Sequence, residues 1–137
     1  MIERLSKEDP QVEHPAQPPV LTLDGVSLML SRDPRTVTMT LIPEHGLPHA
    51  RIGRRPYFWK PAVQAWLTQQ PYPDAAVHDP WRERETLSVA ETADLLELTP
   101  LTVRQHVRDE IINSTRIGRN YLIFWPQLRD HIAGITA

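Results

Sequence analysis

The sequence has no cysteine in 137 residues, which excludes a disulfide scaffold, a cysteine-ligated zinc finger and thiol catalysis, and fits a reducing compartment. It has no long apolar run: no stretch approaches the roughly 18 apolar residues of a membrane span. The start, Met1-Ile2-Glu3-Arg4-Leu5-Ser6-Lys7, lacks the apolar core of a signal peptide. It also lacks an excess of charge of one sign, with 17 acidic against 15 basic side chains and a formal net charge of −2. That balance would ordinarily argue against nucleic acid as a partner. With 40% apolar and 23% charged residues, the chain reads as globular and soluble. Its length permits one ordinary domain, or two small ones of about 50 residues.

Proline is plentiful, with 14 residues, and its placement divides the chain. Pro10, Pro15, Pro18 and Pro19 crowd the start among charged residues, so 1–19 is expected to be a disordered tail that cannot bury enough apolar surface to offset its ordering entropy. Pro71, Pro73 and Pro80 predict a semi-extended linker over 71–84, in which Trp81 needs something to pack on. Between lie two blocks, 20–70 and 85–137.

The blocks resemble each other. Leu21 over Leu87 aligns Pro34-Arg35-Thr36-Val37 with Pro100-Leu101-Thr102-Val103 and Glu44 with Glu110. With one residue dropped, Arg51-Ile52-Gly53-Arg54 falls on Arg116-Ile117-Gly118-Arg119, and Pro61 on Pro126. These collinear matches point to an internal duplication.

Block two has the clearer local grammar. Ser88 and Glu91 form a capping-box pattern before an apolar run with Leu95, Leu96 and Leu98, predicting a short helix. Thr99-Pro100 caps and opens a second helix with Val103, Val107 and Ile111 on one side and Thr102, Arg104, Gln105, His106 and Arg108 on the other. Two short helices joined by a tight turn, the second basic on its free side, make a helix-turn-helix. Gly118 and Asn120 then suit a hairpin turn leading into Tyr121-Leu122-Ile123-Phe124, and Pro126 opens a last amphipathic helix. Block one repeats the plan less cleanly: Gly25 replaces the capping glutamate, and one extra residue with Pro43 and Pro48 precedes its hairpin.

The order of short helix, Pro-x-Thr-Val, Arg-Ile-Gly-Arg, aromatic strand and Pro-led helix, present twice, resembles the MerR-like, excisionase-like winged helix-turn-helix domain. The resemblance covers nearly all of both blocks and neither tail nor linker. It implies a mainly α fold with small β-hairpin wings, an α+β chain of two tandem winged helix-turn-helix domains (20–70 and 85–137) joined by the Pro-rich linker.

Such a fold implies double-stranded DNA as partner. In a recognition helix lying in the major groove, Arg104, Gln105 and Arg108 are the candidates for base readout, with Arg35 and Thr38 in block one. Thr36 and Thr102, near helix starts, suit phosphate contacts helped by free backbone amides, or else simply cap. Arg51, Arg54, Arg55, Arg116 and Arg119 would track the backbone or enter the minor groove, with Gly53 and Gly118 letting the main chain approach. The aromatic residues Tyr57, Phe58, Trp59, Trp66, Phe124 and Trp125 read as packing. His45 and His49 are separated by Gly46 and Pro48 and make a poor metal pair. No nucleophile–base set and no phosphate loop is visible, so neither catalysis nor a metal or other cofactor is expected. A MerR-type sensor needs a coiled coil and an effector domain for which there is no length, so no small-molecule effector is expected.

The expected function is a sequence-specific DNA-binding regulator, a repressor or an excisionase-like architectural factor of a phage, plasmid or mobile element. It would be cytoplasmic, associated with the nucleoid when bound, with a protein partner or homodimer left open. The alternative is a protein-interaction adaptor or anti-activator that keeps the fold and binds DNA weakly or not at all; a packaging role is a third, narrower reading. The acidity argues only against strong non-specific binding and leaves a sequence-selective binder of modest charge as the better reading, because it sits largely in the proline-rich segments. Residues 21–70 carry six basic and three acidic groups, whereas 1–20 and 71–85 each carry two basic and four acidic.

Overall fold

The structure, a computed structural model, describes residues 16–134; most of the expected tail lies outside the described residues. The chain is mixed α+β. In order it forms β1 (Val20–Leu21), α1 (Leu23–Leu30), α2 (Pro34–Thr36), a π turn (Val37–Leu41), α3 (Ile42–His45), β2 (Ala50–Ile52), β3 (Arg55–Trp59) and α4 (Lys60–Thr68). A 3-10 turn (Ala75–His78) leads to β4 (Thr86–Ser88), α5 (Val89–Leu96), α6 (Pro100–Arg108), β5 (Ser114–Ile117), β6 (Asn120–Phe124) and α7 (Trp125–Ala133).

The two halves share not only element order but register. Each has a three-stranded antiparallel sheet with the last strand central, β1-β3-β2 and β4-β6-β5. Val20 pairs with Trp59 as Thr86 pairs with Phe124, and Ala50 with Tyr57 as Thr115 with Leu122. Ile52 pairs with Arg55 as Ile117 with Asn120. The left-handed residues also coincide: Ser31 with Glu97, Gly53 with Gly118, and Gln69 with Gly134. At the first of these, Arg32 N–H bonds the Ser27 carbonyl at 3.0 Å and Leu98 N–H the Ala93 carbonyl at 2.9 Å. This closure of a helix C-terminus makes the turn into the next helix tight. The sequence reading did not anticipate β1 and β4, which at two or three residues carry no pattern of their own and exist by pairing with distant strands.

The extra residue of the first half has a structural outlet. Pro43 cannot donate an amide and its ring crowds the carbonyl four residues back, so the helix widens there. Ile42 N–H reaches back to the Val37 carbonyl, and the π turn absorbs one residue relative to α6.

The expected spacer between the blocks is instead folded onto the second half. Asp79 is 1% exposed. Its carboxylate accepts from Trp81 N–H at 2.8 Å, Trp125 Nε1–H at 2.8 Å and Arg129 Nη1–H at 3.2 Å. Trp81 stands edge-on to Trp125 with ring centroids 5.6 Å apart, carries the Arg84 guanidinium on its own ring, and donates Nε1–H to the Ala16 carbonyl at 3.0 Å. A segment tied by a buried carboxylate and an aromatic pair cannot stretch as a free linker.

Nor are the two blocks separate beads. One small core, around Val26, Val37, Leu47, Phe58 and Val63, belongs to the first half alone. The larger core joins Ile52, Tyr57, Trp59 and Ala62 to Leu87, Leu96, Val103, Ile123, Trp125 and Ile132. Strand alternation explains this: Phe58 points into the first core, while its neighbours Tyr57 and Trp59 point from the opposite face of β3 into the second half. About 50 residues bury little alone, and the merged core supplies what each block lacks.

Candidate nucleic-acid interface

The side chains singled out for DNA contact divide by element. On α6, Thr99 caps the helix and Pro100 opens it. Val103 and Val107 are buried, which turns Leu101, Arg104, Gln105 and Arg108 to the exposed side. Thr102 has a different place. Its amide donates to Thr99 Oγ1 at 3.2 Å and the two hydroxyls lie 2.9 Å apart, so the amide expected to be free is spent on the cap. The same holds for Thr36, whose amide donates to Asp33 Oδ1 at 2.7 Å. That bond holds the Asp33 carboxyl below its ordinary pKa, leaving an anion where a phosphate would have come.

The two hairpins share a turn geometry but differ in surroundings. Each closes through a glycine and an arginine, with φ of 64° at Gly53 and 65° at Gly118, a backbone region that costs other residues energy. The tip of β5–β6 is open, and a Cβ on Gly118 would meet nothing within 4 Å. There Arg116 lies over the Tyr121 ring at 5.6 Å, its Nε–H donating to the Gly118 carbonyl at 3.1 Å, and Arg119 is exposed.

The tip of β2–β3 lies instead against the His106 ring on α6, where a Cβ on Gly53 would stand 2.7 Å from Cε1. Arg55 Nη1–H donates to the Glu97 carbonyl at 3.1 Å, and Arg51 Nη1–H to the Arg54 carbonyl at 3.3 Å. Of these arginines, expected to track the DNA backbone or enter the minor groove, Arg55 ties the hairpin to the second half with part of its donor set and Arg51 braces the hairpin's own turn. A groove of about 700 Å³ runs between this hairpin and α6, with Arg54 and Arg55 on one wall and Thr102, Gln105 and His106 on the other.

The first half gathers fewer such groups. Arg35 is exposed, but Thr38 Oγ1–H is engaged by the carbonyls of Pro34 and Arg35 at 3.1 and 3.2 Å. Met39 stands 61% exposed where its counterpart in α6 is Gln105. The structure thus sets Arg104, Gln105 and Arg108 on one side of α6 and brings the first hairpin's Arg54 and Arg55 to its flank. It leaves Arg35 on α2 and Thr38 in the following π turn, both in the first half.

Sequence reading missed the partners of this flank, His106 and Glu97. His106, expected on the free side of α6 with Arg104 and Arg108, is instead partly buried beneath a hairpin from the other half, which nothing local to the sequence shows. Among the described residues no group of three or more His, Asp or Glu side chains could hold a metal, and no helix is long and apolar enough to cross a membrane. No protein-family model matches the chain, and no curated protein or solved structure shows significant similarity to it.

Proposed function

We propose that the chain is a sequence-specific double-stranded DNA-binding protein built from two winged helix-turn-helix units. It acts as a transcriptional regulator, a repressor by preference, or as an excisionase-like architectural factor, in the cytoplasm and on the nucleoid. The observation that carries this reading is α6. Two buried valines fix its roll, and the opposite side presents Arg104, Gln105 and Arg108, side chains whose donors match guanine and adenine edges in the major groove. The first hairpin adds Arg54 and Arg55 along the flank of that helix, where a DNA backbone would run.

The test is selection of bound fragments from sheared genomic DNA, followed by titration of the selected site. Arg104→Ala and Arg108→Ala each lower affinity for that site by about 1–3 kcal/mol, and binding weakens steeply with salt as phosphate contacts release counterions. Unchanged binding by both variants and their double overturns the assignment of α6.

The exposed Met39 and Leu28, at 61% and 82%, favour a second reading for the first half, a protein-interaction surface. Absence of binding to any duplex at low salt would select it.

A further inference from the structure

The two halves are not equally covered. In the first sheet, Ile52, Tyr57 and Trp59 line the face that packs on the second half, and they are 2%, 0% and 1% exposed. Their counterparts by position and register are Ile117, Leu122 and Phe124. This second face is only partly covered: Ile117 is 62% exposed, and Leu122 and Phe124 are partly exposed, Phe124 beside Arg82–Glu85 of the connection. The receiving side is unbalanced in the opposite sense. On α7, which packs against β2 and β3, Ile132 is fully buried. Its counterpart on α4, Leu67, is 51% exposed. The fold therefore builds one donor-sheet-to-acceptor-helix contact inside the chain and leaves one unused donor face and one unused acceptor face at opposite ends of that arrangement.

We propose that copies of this chain associate head to tail, the outer face of the β4-β6-β5 sheet of one copy seating on α4 of the next as the first sheet seats on α7. The occupant of both faces is a second copy, because each face matches a surface already satisfied by the other half of the same chain. The contact is heterologous, so it propagates or closes into a ring rather than stopping at a two-fold dimer. Three observations set its strength. The internal contact includes the Tyr57 hydroxyl donating to the Leu96 carbonyl at 2.6 Å, a bond that Leu122 cannot copy. It includes His131 Nε2 at 2.9 Å from the Arg51 carbonyl, where the counterpart Trp66 already donates to the His45 carbonyl. It also includes Arg55 on the Glu97 carbonyl, where the counterpart pair is Asn120 and Ser31. With at least two polar anchors fewer and no covalent tether, the contact between copies is weaker than the internal one. The proposal does not rest on DNA binding, and its test uses none.

The test is sedimentation velocity of the full chain as concentration rises to roughly 100 μM, enough to populate an interface with a micromolar dissociation constant. The wild type is expected to pass through dimers to larger species. Ile117→Asp and Leu67→Asp change side chains already largely in solvent and should each stay monomeric with an unchanged circular dichroism spectrum. Mixed in equal amounts they should form dimers and nothing larger, since each variant keeps one intact face. A wild type that stays monomeric throughout, a dimer that survives in either variant alone, or a mixture that does not pair would each overturn the proposal.

Discussion

The His106 imidazole on α6 lies against the backbone of Gly53 at the tip of the first hairpin, leaving 2.7 Å between its Cε1 and the place a β-carbon would occupy. The contact makes a turn residue of one half part of the packing of the other. Gly118, in the same conformation with open space around it, is a built-in control. Gly53→Ala and Gly118→Ala share the positive-φ cost of about 1 kcal/mol, but only the former also pushes into an imidazole. Gly53→Ala should therefore be the more destabilising by about a further 0.5–1.5 kcal/mol, the cost of turning the imidazole off its rotamer, read as the difference between the two variants in urea melts. Equal losses would mean that the hairpin tip does not dock in solution.

Tyr57 tests the same junction by chemistry rather than by shape. Its ring is fully buried and its hydroxyl donates to the Leu96 carbonyl at 2.6 Å; burial also pushes its pKa above the ordinary tyrosine value. Tyr57→Phe keeps the ring and leaves that carbonyl without this donor, a loss of about 1–2 kcal/mol. Because the bond crosses between halves within one core, the transition should remain single and shift as a whole. Two separated transitions in the variant would show that the halves unfold independently.

Asp79 holds the proline-rich connection in place. Removing this buried carboxylate leaves the Trp125 indole without its acceptor and Arg129 with Asp130 alone. Asp79→Ala should cost about 1–3 kcal/mol. The fluorescence of Trp81 and Trp125, which stack edge to face, should change in the folded variant as the connection loosens. A loss under about 1 kcal/mol, the range of an exposed pair, would contradict the anchoring role.

Glu91 sets an acid limit. The Arg84 guanidinium at 2.7 Å, with the Ser88 backbone amide, lowers its carboxyl from 4.5 to about 2. A carboxyl that is more acidic folded than unfolded contributes stability above its unfolded pKa, and that contribution fades as pH falls from about 4.5 toward 2. The pair is about 40% exposed, so the effect is modest. Glu91→Gln should be less stable than wild type at neutral pH, with the difference shrinking below pH 4.5. A constant difference from pH 7 to about pH 2.5 would contradict it.

Much of the local structure is legible in the sequence because its causes are local. The capping box at Ser88 and Glu91 closes as its spacing implies, with Glu91 N–H on Ser88 Oγ at 3.0 Å and Ser88 N–H on Glu91 Oε1 at 2.9 Å. Thr99-Pro100 and Asp33-Pro34 start helices, and Gly53 and Gly118 take the left-handed turn positions that only glycine fills cheaply. The exposed side of α6 follows from the spacing of Val103 and Val107. All of these are interactions within four residues, or a backbone preference of one.

What the sequence could not decide was how the two similar blocks meet, because that depends on which face of a strand finds a partner far away in the chain. Alternation along β3 shows that Tyr57 and Trp59 share a face, yet only the tertiary structure places that face in the second half's core. The same distance separates a proline-rich stretch that reads as a spacer from one pinned by Asp79 to Trp125 and Arg129. It also separates arginines drawn as free wings from Arg55 bonded to the Glu97 carbonyl. Short-range hydrogen bonds and φ preferences are written residue by residue, whereas the burial that merges two marginal cores is a property of the folded whole.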